Sequence, residues 1–153
     1  MKVYTDGATS NNGQENANGG WAFAVVNESE DLIAFDSGHI SNATNNICEL
    51  TAVINACKWL EAKGISGIIF SDSAYIINCY KDKWYKKWQC NGWMTSKKLP
   101  VLKKELWKKL IPYFENPNYS FEKVKGHYID KYNNLADALA VEAKNVKDNY
   151  SHI

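Results

Sequence analysis

The chain has 153 residues, of which 45% are hydrophobic and 23% charged, and its formal net charge is +1 at pH 7. This composition is typical of a globular domain and excludes disordered and fibrous proteins. Because a chain of about 150 residues buries roughly 70% of its unfolded surface, we expect one domain with a hydrophobic core.

The sequence contains no run of ~18 apolar residues, the length that a membrane span requires. Strand-like sequence begins at the N-terminus, where a signal peptide would otherwise lie, so we expect a cytoplasmic protein.

The cysteines have no C-x-x-C spacing, which favours reduced thiols over disulfides or a zinc site. They are Cys48, Cys57, Cys79 and Cys90.

The first part of the chain predicts three strands with short polar links, which is typical of an antiparallel meander. A helix begins after Thr44-Asn45-Asn46, a sequence with good N-cap chemistry, and ends near Gly64. Strands and helices alternate afterwards, which indicates an α/β fold with a mixed sheet and helices on its faces. The predicted strands are 1–5, 21–26, 32–37, 68–70 and 119–125, and the predicted helices are 47–62, 73–80, 102–114 and 134–146.

The first strand ends in a carboxylate, within the sequence KVYTDGA. Val, Tyr and Thr favour strands, whereas Asp is depleted from them, so Asp6 costs stability unless a site uses its charge. An Asp-Gly turn that closes a hairpin is the alternative interpretation.

A second carboxylate lies on the inner face of the first predicted helix. The polar stripe of that helix contains Thr51, Asn55 and Lys58. At about 100° per residue, Glu49 lies roughly 150° from this stripe and faces the protein. A carboxylate in that position must pair with a cation, bind a metal or take up a proton, and a buried salt bridge to a lysine remains open.

Two further carboxylates occur at the ends of predicted elements. Asp72 follows a buried strand, at the edge of an α/β sheet where ligand sites collect, although it could also cap the next helix together with Ser71 or Ser73. Asp137 lies in the first turn of the last predicted helix, where a solvated Asp that complements the helix dipole is the alternative. Its side chain is expected to point away from the apolar positions Leu135, Leu139 and Val146.

The charge is unevenly distributed along the chain. Residues 81–109 contain ten lysines and two acids, a local charge of +8, so the remainder carries −7. Such a split indicates that one lobe holds a polyanion and that another part holds something cationic.

Four motifs, in this order, resemble type I ribonuclease H over essentially the whole chain: YTDGA, TNNICEL, SDSAYI and KGHYIDKYNNLADALA. The resemblance implies a ribonuclease H-like α/β fold, in which a five-stranded mixed sheet with a central first strand is flanked by helices and carries a basic helical protrusion. It also implies a catalytic domain at residues 1–146 and a C-terminal tail at residues 147–153.

The resemblance implies that the protein cuts the RNA strand of RNA–DNA hybrids by a two-metal-ion mechanism and leaves 5′-phosphate and 3′-hydroxyl ends. Carboxylate oxygens suit Mg²⁺, with Mn²⁺ as a substitute. By motif match, the metal ligands and catalytic carboxylates are Asp6, Glu49, Asp72 and Asp137. His127 is the catalytic loop histidine, which assists proton movement or product departure.

The resemblance also implies contacts with the hybrid. Asn45 and Asn46 would contact its minor groove, where an amide offers both a donor and an acceptor to the 2′-hydroxyl. The candidate residues of the basic protrusion are Trp84, Lys86, Lys87, Trp88, Trp93, Lys97 and Lys98. For Trp84 and Trp88, four residues apart, packing inside the protein is the alternative, and for the asparagines it is helix capping. We expect a monomer.

Two other functions remain open: a DNA-cutting nuclease or transposase of the same superfamily, and a non-catalytic nucleic-acid-binding module. The asparagine pair and the basic protrusion argue against the first. Four acids would repel phosphate unless metal is bound, which argues against the second.

The sequence departs from the family at two places: ATSNNGQENANGG lacks the usual proline-containing glycine loop, and Ala74 stands where many relatives carry a substrate-contacting glutamine.

Overall fold

The computed structural model describes residues 1–10, 17–94, 103–124 and 131–145, and the backbone of its last helix continues to Tyr150. Five strands form one sheet in the order β3-β2-β1-β4-β5. The first three pair antiparallel, whereas β4 joins β1 in parallel, so the predicted mixed sheet with a central first strand is confirmed. The strands are β1 (Lys2–Thr9), β2 (Asn18–Val26), β3 (Leu32–Ser41), β4 (Gly67–Ser71) and β5 (Tyr119–Lys123).

The described residues contain the predicted helices and one more short helix. A left-handed residue, Lys83, separates this extra helix from the one before it (φ 55°). The last helix extends beyond its predicted bounds at both ends, and the division between domain and tail at residue 146 stays a prediction. The helices are α1 (Asn45–Lys63), α2 (Ala74–Asp82), α3 (Trp84–Cys90), α4 (Lys104–Phe114) and α5 (Lys131–Tyr150).

Strand β1 continues through Asp6-Gly7 instead of turning there. Asp6 pairs with Ala22 and Gly7 pairs with Trp21 on β2. The alternative of an Asp-Gly hairpin turn is therefore wrong, because both residues stay in the ladder.

The main core lies between the sheet and helix α1. Leu50, Val53 and Leu60 of this helix are essentially inaccessible and join Val3 and Phe23 of the sheet in one apolar cluster. Each such side chain contributes roughly 1.5–3 kcal/mol of transfer free energy, so the position of α1 against β1 is strongly determined.

Helix α5 covers the other face of the sheet with small side chains. Its buried residues are Ala136, Ala140 and Ala143, whereas Leu135 and Leu139, which we expected to form the apolar face, are only half-buried. A Cβ on Gly20 of β2 would collide with the backbone of α5 at Ala140. The helix approaches the sheet too closely for leucine, and the side chain of Val146 lies outside the described residues.

The four cysteines are all free, and three of them are buried. The expectation of unpaired thiols is thus confirmed.

None of the helices in the described ranges combines the length and the apolar character that crossing a bilayer would need.

Candidate active site

The site lies where the central strands β1 and β4 separate. Their parallel ladder ends at the pair Tyr4 and Phe70. Beyond this pair, the hydroxyl of Thr5 donates to the carbonyl oxygen of Phe70 at 2.7 Å and holds the two strand ends at a defined separation. Asp6 follows on β1, and Asp72 comes directly after β4. The topology therefore brings two carboxylates to the same edge of the sheet.

The structure brings all four sequence-predicted carboxylates together at this edge. Asp6, Glu49 and Asp72 each offer an oxygen atom, and these atoms lie within 4.8 Å of one another. Asp6 is 7% exposed and Glu49 9% exposed, whereas Asp72 faces solvent. Asp137, on α5, interacts with the carboxyl group of Asp6. The predicted inward orientation of Glu49 is confirmed.

Gly7 holds two of these carboxylates in place. Its backbone N–H donates to Asp6 Oδ1 at 2.8 Å and to Glu49 Oε1 at 3.1 Å. A Cβ on Gly7 would lie 2.6 Å from Cys48 Cβ and 2.8 Å from the backbone nitrogen of Glu49. Because only glycine fits here, helix α1 can approach β1 closely enough for Glu49 to reach the sheet edge.

The carboxylates strongly disfavour one another's ionisation. Burial, followed by repulsion from Asp72, raises the pKa of Asp6 to about 7. Burial and the charges of Asp72 and Asp6 raise the pKa of Glu49 to about 10. Glu49 Oε2 is buried and accepts no hydrogen bond from any described residue. The carboxyl groups of Asp6 and Glu49 also share a hydrogen bond, which requires a proton on one of them, so the metal-free site retains protons at neutral pH.

No described lysine neutralises the site. The two salt bridges among the described residues, Lys2–Glu30 and Lys81–Glu122, lie elsewhere. A buried salt bridge from Glu49 to a described lysine is therefore excluded. Carboxylate oxygens are the donors that hard divalent cations prefer, and no residue in the described ranges donates a hydrogen bond to the buried Oε2 of Glu49. The acidic group can hold a metal ion.

The capping alternatives for the site residues are wrong. The hydroxyl of Ser73 accepts from Ile76 N at 3.3 Å and caps α2, so Asp72 is not the cap. Thr44 caps α1 in the same way, which leaves Asn45 and Asn46 inside the helix. Asp137 is exposed and lies beyond the first turn of α5, which begins at Lys131. The helix-dipole effect falls off within the first turn, so it does not account for this residue.

Comparisons with known proteins agree with this geometry. The RNase H family model matches residues 1–145. The chain belongs to the ribonuclease H family. Curated relatives named Ribonuclease H include one from Thermoanaerobacter sp., 42% identical over 93% of this chain and 88% of the relative. Another, from Clostridium botulinum, is 42% identical over 92% of this chain and 93% of the relative.

Solved structures confirm the ribonuclease H-like fold. The PFV RNase H domain is 25% identical, with a TM-score of 0.76 over 95% of this chain and 94% of that one. LC11-RNase H1, which was solved with an RNA/DNA hybrid, is 23% identical, with a TM-score of 0.71 over 95% of this chain and 97% of that one. The predicted family, fold and class of enzyme, a nuclease, are therefore confirmed.

The predicted substrate contacts of this ribonuclease H family member are only partly described. Asn45, Asn46, Lys86 and Lys87 are exposed. His127, Lys97 and Lys98 lie outside the described residues, so their predicted roles stay predictions.

The tryptophans of the lysine-rich segment differ in exposure. Trp88 is 7% exposed, and its ring lies 5.3 Å from that of Trp107, so it packs in the core. This packing favours the alternative of a role inside the protein, and the nucleic-acid contact of Trp88 stays a prediction. Trp84 is half-buried against Tyr75, at 5.5 Å between rings. Trp93 is also half-buried and lies beneath lysines of α4.

Sequence reasoning missed Gly7, which organises this ribonuclease H site, because Asp-Gly reads as a turn signal. It also placed the end of the first strand at Thr5, whereas β1 continues to Thr9, whose hydroxyl donates to Asn45 Oδ1. A longer strand prediction would have kept Gly7 in the ladder with β2.

The metal-free protein is expected to lose stability as the pH rises. The folded state raises the pKa values of Asp6 and Glu49 from their ordinary values of 3.8 and 4.5, so it binds more protons than the unfolded chain above about pH 4. This contribution to stability is complete below that pH. The contribution of Asp6 is lost as the pH rises to about 7, and that of Glu49 as the pH rises to about 10. Each group lowers the free energy of unfolding by at most ~1.4 kcal/mol per pH unit.

Urea unfolding in EDTA at pH 5 and at pH 8 measures this loss. Glu49→Gln should make the free energy of unfolding depend less on pH than in the wild type. Equal pH dependence in the two proteins would contradict the predicted protonation.

Proposed function

We propose that this protein is an endoribonuclease that hydrolyses the RNA strand of RNA–DNA hybrids with two divalent metal ions, leaving 5′-phosphate and 3′-hydroxyl ends. The observation that supports this most strongly is the convergence of Asp6, Glu49 and Asp72 within 4.8 Å, with Asp137 beside Asp6. Acids with a purely structural role would each have a cationic partner, and none of the described lysines pairs with this cluster.

The four carboxylates are the proposed metal ligands, and Mg²⁺ is the proposed ion, with Mn²⁺ as its substitute. The donor set consists of oxygen atoms alone, which favours these ions over zinc. When bound, such ions lower the pKa of the attacking water and stabilise the charge that develops on the departing oxygen. The side chain of Asp6 accepts a hydrogen bond from Gly7 N–H and interacts with the other three acids. We therefore propose Asp6 as the bridging ligand.

The chain's own groups position and protonate the site. Gly7 N–H orients one oxygen each of Asp6 and Glu49, which leaves Glu49 Oε2 for a ligand. Protons held on these carboxyl groups in the metal-free protein leave when a cation binds, so metal affinity rises with pH. His127 is the proposed group for proton movement or product departure.

Recognition of the hybrid is assigned to two surfaces. Asn45 and Asn46 are exposed at the start of α1, about one helical turn before Glu49, where they can contact the minor groove of an A-like helix. Lys86 and Lys87 project from α3 and are proposed to bind phosphates without regard to sequence.

The cytoplasmic location, the monomeric state and the tail at residues 147–153 stay predictions.

A substrate panel tests the proposed function. The protein is incubated with an end-labelled RNA–DNA hybrid, double-stranded RNA and duplex DNA of one sequence, in Mg²⁺, Mn²⁺ or EDTA. We expect metal-dependent cleavage of the RNA strand of the hybrid alone. Cleavage of duplex DNA would favour the DNA-cutting alternative, and metal-dependent binding without any cleavage would favour a non-catalytic module.

Charge reversal at Lys86 and Lys87 is expected to weaken hybrid affinity and reduce its salt dependence. Each phosphate contact that is lost lowers the slope of log affinity against log salt by about 0.9 for a B-form duplex, so the double Lys→Glu variant should lower it by about 1 to 2. Titrations at several salt concentrations measure the slope. The matched control reverses Lys58 and Lys63, two exposed lysines on α1, with the same change in net charge. An equal slope in the two double variants would exclude a phosphate contact by α3.

A further inference from the structure

The two central strands part at Thr5, one residue before the first carboxylate. Their ladder ends at the pair Tyr4 and Phe70, and the fully buried Thr5 donates its hydroxyl hydrogen to Phe70 O at 2.7 Å. We propose that Thr5 is a positioning residue for metal binding, whose hydroxyl fixes the distance between Asp6 and Asp72. This inference rests on the metal-binding part of the proposed function.

The register of the sheet explains why this distance must be fixed. Strands β1 and β4 are parallel, and Tyr4 lies opposite Phe70. Continued by two residues, the same register brings Asp6 opposite Asp72. Like charges directly opposite each other destabilise a sheet, and the ladder stops before it reaches this pair. The gap between the two carboxylates is therefore not set by ladder bonds between β1 and β4.

Each carboxylate is held firmly on its own side of this gap. Asp6 stays in the antiparallel ladder with β2. On the other side, Val124 N donates to Ser71 O at 2.9 Å, and Ser73 N donates to Ser71 Oγ at 3.1 Å, so hydrogen bonds fix the backbone on both sides of Asp72. Because the backbone is fixed at both carboxylates, a link where the strands part determines how far apart they lie.

The hydroxyl of Thr5 provides this link. Thr5 directly precedes Asp6, and the residue that accepts its bond, Phe70, precedes Asp72 by two positions. Without the hydroxyl, the carbonyl oxygen of Phe70 loses a donor next to a fully buried side chain, and the strands can separate further to admit water. A wider gap weakens the grip of the two carboxylates on a shared cation. Groups that hold metal ligands in place typically contribute about 10–100-fold to metal affinity.

The test uses two substitutions that separate the hydroxyl from packing. Thr5→Val removes the hydroxyl at nearly constant volume, whereas Thr5→Ser keeps the hydroxyl and removes a buried methyl group. Mn²⁺ affinity without nucleic acid is measured from the electron paramagnetic resonance signal of free Mn²⁺, and urea unfolding in EDTA measures stability. We expect roughly tenfold weaker Mn²⁺ binding in Thr5→Val. Thr5→Ser should be less stable than the wild type and yet bind Mn²⁺ within about twofold of it.

The Mg²⁺ dependence of hybrid cleavage gives a second measurement. At a Mg²⁺ concentration well below saturation, Thr5→Val should cut the hybrid roughly tenfold more slowly than the wild type, and saturating Mg²⁺ should recover most of this loss. The KM for the hybrid at saturating Mg²⁺ should stay within about twofold, because the exposed lysines of α3 are unchanged. A loss of folded protein would instead lower the rate equally at all Mg²⁺ concentrations.

Two controls separate metal binding from folding. Thr51→Val removes a hydroxyl that donates to Ile47 O within α1, and it should leave Mn²⁺ affinity unchanged. Circular dichroism measures the folded fraction of every variant. If Thr5→Val unfolds in buffer, all the proteins are compared in sucrose, which favours the compact state.

Three results would overturn the inference: equal Mn²⁺ affinity in Thr5→Val and the wild type, an equal loss of affinity in Thr5→Val and Thr5→Ser, or a Thr5→Val chain that stays unfolded in sucrose. The proposed function stands in each case if the wild type binds Mn²⁺ and cuts hybrids. A wild type that binds no Mn²⁺ would overturn both. If the wild type binds Mn²⁺ but cuts no hybrid, the proposed function falls, and the affinity of Thr5→Val still decides the inference.

Discussion

Asp6→Asn is expected to lower the rate of hybrid cleavage by at least roughly a thousandfold, while hybrid affinity stays within about threefold of the wild type. Asp6 is the acid that contacts the most of its neighbours: it shares the Gly7 N–H with Glu49 and interacts with Asp72 and Asp137. Asparagine has nearly the same shape and still accepts from Gly7, but it lacks the negative charge that a cation requires. The phosphate-binding lysines are unchanged, so binding persists.

The same substitution should change stability in the opposite direction. At pH 8 without metal, Asp6 is ionised in a site that raises its pKa from 3.8 to about 7, so its neutral replacement should stabilise the protein by up to roughly 4 kcal/mol. Mg²⁺ should then stabilise the variant much less than the wild type, because ligand binding stabilises by mass action. Thermal unfolding with Mg²⁺ and with EDTA measures both effects.

The matched control for this experiment is Asp31→Asn, which changes an exposed Asp in the turn before β3. It should keep the wild-type activity and the wild-type response to Mg²⁺. An Asp6→Asn variant that cuts the hybrid at a rate near that of the wild type would remove the acidic cluster from the proposed mechanism. Loss of activity together with loss of folding would contradict the predicted gain in stability.

The site residues that could be predicted are those whose charge does not suit the helix face or strand in which they lie. Glu49 interrupts the apolar face of an otherwise regular helix, and helical periodicity alone placed it inside the protein. Asp6 is a charge in strand sequence, which marked it as functional or as a turn. Local propensity could not choose between these two, because the choice depends on β2, whose pairing keeps Asp6 and Gly7 in the ladder.

The parts that could not be predicted depend on contacts between elements. Trp84 and Trp88 have the same spacing signal, yet only Trp88 packs against Trp107 of α4. The buried face of α5 consists of alanines because Gly20, far away in sequence, lets the helix come close. A resemblance to the family assigned the four acids, but it carried no information on the Gly7 N–H that joins Asp6 and Glu49.

Gly7→Ala is expected to damage both the fold and the site. The added methyl group would lie 2.6 Å from Cys48 Cβ and 2.8 Å from Glu49 N, so α1 must move away from β1. Alanine in a strand would otherwise gain roughly 0.5–1 kcal/mol over glycine. Overpacking against a backbone that cannot yield costs roughly 2–3 kcal/mol, so the net effect is destabilising.

The displacement of α1 also carries Glu49 away from Asp6, since one Gly7 N–H joins both carboxylates. A shift of about 1 Å in a catalytic group can cost roughly a hundredfold in rate, and we expect a loss of that size in kcat. Urea unfolding and hybrid cleavage at saturating substrate measure the two effects. The control is Gly67→Ala on β4, where a Cβ would meet the end of the Leu60 side chain and the backbone oxygen of Met1, both at 3.1 Å, and so crowds its neighbours less than at Gly7. A Gly7→Ala variant with the kcat of this control would show that the close approach of α1 to β1 is not what holds Glu49 in the active site.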